Sequence, residues 1–186
     1  MSNRLINIIR LSFVIIIISS TLLISKDNDG AYHTVTIVIP KVALLDIESV
    51  TSKDITLTMA PPSEAGNPIL SNIDNNLWLN VTSIVASGNT RDISAKIDAP
   101  INGLDLKVVS NAHSGSGFGS WGGPQPELIL TTADQTLVSG IKSGYTMDGA
   151  NNGFNLKYTV KSNNLIYGEI TSTTEDNITV TYTLTH

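Results

Sequence analysis

From residue 34 onward, apolar and polar residues alternate in short runs separated by Gly, Pro, Asn and Ser, while the three-to-four spacing of a helix face is almost absent. A period of two places successive side chains on opposite faces, as in strands that are half buried. The runs predict strands at 34–39, 42–47, 55–59, 77–85, 91–97, 104–110, 127–131, 136–139, 154–162, 165–170 and 177–185. Many short strands at this spacing predict an all-β fold, an antiparallel sandwich of immunoglobulin-like type. The core faces follow from the alternation: Ile55, Leu57 and Met59; Leu77, Leu79 and Val81; Ile93, Ala95 and Ile97; Leu104, Leu106 and Val108; Phe154, Leu156, Tyr158 and Val160; Ile178, Val180, Tyr182 and Leu184.

Breakers fall between the runs, at Pro61-Pro62, Gly66-Asn67-Pro68, Ser87-Gly88-Asn89 and Asn102-Gly103. Segments 87–90 and 100–103 are short enough for antiparallel hairpins. Two longer loops, 113–126 (HSGSGFGSWGGPQP) and 146–153 (TMDGANNG), are too rich in Gly, Ser and Asn to be expected to pack as regular structure.

The pattern changes at the N-terminus, where Arg4 and Arg10 accompany the apolar run LSFVIIIISSTLLI. That is the layout of a secretory signal peptide over residues 1–25, with cleavage after Ser25 or near Ala31. The alternative is a retained anchor, but Arg10 interrupts any extension of the apolar run into a full span. A polar lead-in, 26–33, would then precede a single sandwich domain, 34–186.

Loss of the leader removes Arg4 and Arg10 and leaves 9 basic against 16 acidic side chains, a net charge of −7. Phosphate backbones attract basic stripes, so nucleic acid is not an expected partner. Cysteine is absent. Disulfides, thiolate metal sites and a cysteine nucleophile are therefore excluded, and an exported chain of this length must rely on core burial alone.

Candidate chemistry is sparse. No helix follows the glycines of 113–126, and no P-loop lysine accompanies them, so a phosphate cradle is not expected. Phe118 and Trp121 could stack on a sugar face with Asn111 or Gln125 nearby, or could plug the end of the sandwich. Asp148, Asn151 and Asn152 have the oxygen chemistry of a calcium turn but lack the spacing and the closing acid, so a solvated turn and no metal are expected. His33, His113 and His186 are scattered, and Ser114 and Ser116 lack a nucleophile elbow. No catalytic residue, cofactor or enzymatic activity is assigned. The sequons at Asn80 and Asn177 fall within strand runs and are read as chance.

The terminal runs remain. TVTIVIP followed by VALLD (42–46), with ITVTYTLT at the other end, resembles the cysteine-free class of fimbrial major subunits typified by CS1 and CFA/I fimbriae. LTTADQTLVSGIKSGYTMDG (130–149) is similar in character, and the chain also resembles a group of secreted proteins from Bacteroidetes-type bacteria. The fimbrial resemblance implies a non-catalytic surface subunit that assembles by donating its N-terminal strand to a neighbour. The donor face would be Val35, Ile37 and Ile39. Ile178, Val180, Tyr182 and Leu184 would form the C-terminal strand shown to a periplasmic chaperone, although the usual glycine upstream of it is missing. A monomeric sugar-binding adhesin using Phe118 and Trp121 is the alternative.

Overall fold

The computed structural model describes residues 30–172 and 177–185; the candidate leader, the first half of the lead-in and His186 lie outside them. Of the described residues, 30–38 belong to a unit separate from that of Ile39–His186. Every described strand lies in the second unit. In chain order these are β1 (Val42–Ser49), β2 (Asn72–Ile84), β3 (Arg91–Ile97), β4 (Leu104–Ser110), β5 (Phe118–Gly119), β6 (Gly123–Pro124), β7 (Leu128–Ile129), β8 (Gln135–Ile141), β9 (Gly144–Tyr145), β10 (Phe154–Ser162) and β11 (Val180–Leu184). No α-helix occurs among the described residues, and none of their segments is a helix long and apolar enough to cross a membrane.

Two antiparallel sheets pack face to face as a β-sandwich. In the larger, β2 carries β1 along one side, while β10 and then β9 occupy the other; β4 and β7 lie beyond β10, and β5 beyond β9. The smaller runs β11-β3-β8-β6. Between them lies the core: Leu79, Ile93, Ala95, Val108, Leu137, Phe154 and Leu156 are wholly shielded from solvent. All the predicted core faces contribute to this cluster.

Several expectations need correction. Segments 87–90 and 100–103 are not hairpins, because β2 and β3, and then β3 and β4, belong to opposite sheets. Each strand has one apolar row, and placing the rows face to face buries both, whereas pairing the strands side by side would leave a shared apolar face uncovered.

Segment 55–59 is not a strand, although Ile55, Leu57 and Met59 do turn to the core. Side chains of Ser49 and Ser52 accept from the Thr51 and Asp54 amides (3.1 and 3.2 Å), which bends the chain out of β1's ladder. It rejoins through the Asn72 side-chain amide donating to Thr58 O (2.8 Å) and a bridge between Ala60 and Leu70.

Segment 165–170 forms a turn and a 3-10 helix, Tyr167–Glu169. Asn163 Oδ1 accepts from the Leu165 amide at 3.0 Å, and this local side-chain bond diverts the backbone from any ladder. Residues 34–39 carry no strand pairing either.

The glycine-rich loop, expected to be irregular, supplies β5 and β6. Its glycines serve close backbone approach: a Cβ on Gly119 would lie 2.3 Å from Gly144 Cα, and one on Gly122 only 2.0 Å from Ser139 O. Both have positive φ, which also favours glycine.

Candidate functional site

The two terminal runs differ in what their backbone and side chains meet. β11 pairs with β3 so that Val180, Tyr182 and Leu184 stand opposite Ile97, Ala95 and Ile93. Leu184 is buried, and Ile178, Val180 and Tyr182 are partly buried against the core. The Tyr182 hydroxyl crosses to the other sheet and hydrogen-bonds the Tyr158 hydroxyl. Burial pushes the Tyr158 phenol up to about 12 and the Tyr182 phenol well above its ordinary value. β11 is thus an integral strand, stapled to both sheets.

It is also an outermost one. β11 is one end of the smaller sheet, and β1, paired only with β2, is an edge of the larger. Arg91, buried at the start of β3, ties the two edges together: its guanidinium donates to Thr185 O (2.8 Å), just past β11, and to Val42 O (3.3 Å), at the start of β1. Behind these edges the apolar rows are only partly covered, at Ala43, Leu45 and Ile47 of β1, at Ile55, Leu57 and Met59, and at Val180 and Tyr182. An unpaired edge offers amides and carbonyls to an added strand.

The expected donor face is outside any ladder. Val35, Ile37 and Ile39 are 69%, 79% and 70% exposed, and Val38 between them is 84% exposed. Such a run of large apolar side chains in water is a liability unless something covers it.

The two loop aromatics are not brought together by the fold. Trp121 is partly buried and stacks on His113, ring centroids 3.7 Å apart and planes 4° from parallel. Desolvation lowers the His113 pKa, which favours the neutral form of the stacked imidazole. Phe118 is 74% exposed and leans on Tyr145, 6.1 Å away. The polar groups expected beside them are committed elsewhere, Asn111 to Asn155 (3.1 Å) and Gln125 to Ser139 (2.8 Å).

Tyr145 has no distinguishing mark in the sequence beyond its Gly-Tyr turn. Register places it on one rung with Leu44, Thr82 and Phe118, across four neighbouring strands of the larger sheet. Asn80, the first sequon, is 7% exposed and therefore closed to a glycan. No protein-family model matches the chain, and no curated protein or solved structure is significantly similar to it.

Proposed function

We propose that this chain is an exported, non-catalytic subunit of a cell-surface filament, assembled by donation of residues 34–39 to an open edge of the next copy. The observation that carries the proposal is the exposed alternating run Val35, Ile37 and Ile39 in a molecule with two edge strands, β1 and β11, that are bordered by half-covered apolar rows. An extended segment added at such an edge gains ladder hydrogen bonds, and its alternate side chains complete the core.

Local chemistry favours donation in trans over folding back. Only Pro40 and Lys41 separate residue 39 from β1. Two-residue hairpins use type I′ or II′ turns, both of which need positive φ at the first turn residue, where proline is locked near −65°. The run therefore cannot turn back tightly onto β1. Head-to-tail donation is heterologous, and it builds an open filament rather than a closed ring. Export follows from the leader-like residues 1–25, and a periplasmic chaperone that covers an open edge before assembly fits the same scheme.

Deletion of residues 32–39 tests the proposal by sedimentation and electron microscopy. The deleted protein is expected to stay folded and monomeric, and to bind a synthetic peptide of residues 34–40 that restores thermal stability. Filaments formed by the deleted protein at the wild-type level would sink the idea. A second reading, a glycan-binding adhesin, is favoured by the solvent-facing Phe118 and Tyr145 pair rather than by Trp121. Glycan-array signal lost in Phe118→Ala, from a protein that never self-associates, would favour it.

A further inference from the structure

The outer face of the larger sheet, opposite the core, carries a group of acids that the chain keeps far apart in sequence. Asp46 and Glu48 are two residues apart on β1 and so share a face; Asp148 comes from the turn after β9. One carboxylate oxygen from each of the three lies within 4.8 Å of the others. The turn is held in place by Thr146, a buried residue whose hydroxyl accepts from the Val81 amide at 2.9 Å, and by Met147 at a φ of 67°.

Beside these acids sits an amide with an unmet need. Asn80 is the direct cross-strand partner of Asp46. Its Nδ2 donates to Asn152 O at 2.7 Å, while its Oδ1 is buried and has no hydrogen-bond partner. Asn80 lines, together with Asp46, Thr146 and Asp148, a cavity of about 360 Å³ on this face. An orphaned buried carbonyl oxygen is costly unless something meets it, and a hard cation would.

We propose that Asp46, Glu48, Asp148 and the Asn80 Oδ1 form a calcium site that clamps edge strand β1 to the 146–149 turn. The donor set is all oxygen, three carboxylates and one amide carbonyl, with no nitrogen or sulfur to favour zinc. Calcium–oxygen distances of about 2.3–2.6 Å allow ligands on opposite sides of one ion to stand roughly 4.6–5.2 Å apart, which accommodates the observed spread; magnesium at about 2.0–2.1 Å would require it to contract.

The site also has a built-in competitor. Lys53 Nζ lies 3.4 Å from both Asp46 and Glu48 and is half exposed. A calcium ion would displace this ammonium into solvent and take over its partners while also engaging Asp148 and Asn80.

The test uses the full chain, stripped with chelator and titrated with calcium chloride in a calorimeter and in thermal unfolding. Expected are saturable one-to-one binding in the range of about 10⁻⁴–10⁻³ M, as in extracellular modules, and a melting temperature that rises with calcium. Asp148→Asn, on an exposed turn and safe for the fold, should weaken binding at least about tenfold, since it removes a ligand charge. Lys53→Gln should tighten it, an outcome no merely structural role for the acids predicts. Asn80→Ala should also weaken binding; if that variant fails to fold, the other two still decide. The proposal is overturned if calcium up to about 10 mM neither binds nor shifts melting, if Asp148→Asn binds like wild type, or if magnesium matches calcium at equal concentration.

Discussion

Residues 34–39 and β11 have the same alternating character and meet opposite fates. In β11, Val180, Tyr182 and Leu184 find Ile97, Ala95 and Ile93 opposite them, and their row closes on the core. In the N-terminal run, Val35, Ile37 and Ile39 have comparable apolar surface but no strand pairing, and more than two thirds of each is in water. Alternation thus states what a segment needs, and the connections decide whether its own chain can supply it. β11 arrives by a long excursion that permits antiparallel entry beside β3. The N-terminal run is joined to β1 by Pro40 and Lys41, a link with the wrong φ for a return.

The sharpest way to break this contrast is to repair the link. Replacing Pro40-Lys41 with Asn-Gly supplies the pair that type I′ turns favour. If assembly runs by donation of 34–39 as proposed, the run should then fold back onto β1 of its own molecule, leaving a monomer with a higher melting temperature. Sedimentation velocity and a thermal scan read both effects. Unchanged assembly would mean that the link does not control where the strand goes.

The next effect in size falls on β11. Leu184→Ala removes a buried side chain from an edge strand and should lower unfolding stability by about 2–4 kcal/mol in a denaturant titration, with little change in m. A loss below about 0.5 kcal/mol, the scale of ordinary surface changes, would show β11 to be as dispensable to the fold as the N-terminal run.

The Tyr158 and Tyr182 pair adds a pH signature to the same strand. Both phenols are raised by burial in the folded state, so the native protein holds their protons more tightly than the unfolded chain does. Their contribution is intact below the unfolded value near 10. It declines as pH rises from there towards about 12, the value to which Tyr158 is raised. Melting temperature should therefore fall steeply above about pH 10, and less steeply when both residues are phenylalanine. Tyr158→Phe alone leaves the Tyr182 hydroxyl without its partner and should cost about 1–2 kcal/mol at neutral pH.

What the sequence made visible, and what it hid, follows the same division between need and supply. The rows at Leu77, Leu79 and Val81, at Ile93, Ala95 and Ile97, and along β10 were legible because half-burial writes itself as a period of two. Their sheet assignment was not: 87–90 reads as a hairpin by length, and only the presence of a second apolar face across the core makes it a crossing between layers. Local side-chain bonds undid 165–170, where Asn163 outcompeted a ladder. The short strands β5 and β6 depend on glycines that admit close backbone approach, and composition alone presents those residues as an irregular loop. Asp148 reads as a turn without a closing acid, and the acids that the fold brings beside it, Asp46 and Glu48, come from β1 and are far from it in sequence.

The smallest expected effect returns to the N-terminal run. Ile37 is 79% exposed, so Ile37→Ala should change the unfolding stability of isolated monomer by no more than about 0.5 kcal/mol. Assembly should respond differently, since the same side chain would be buried in a neighbour's sandwich, where losing it costs on the order of 2–5 kcal/mol per contact. A shift in the critical concentration for filament formation, with no shift in monomer melting, separates a side chain kept for a partner from one merely left over at a terminus. Equal and small effects on both would leave Val35, Ile37 and Ile39 as exposed surface with no covering partner, and the adhesin reading would gain by it.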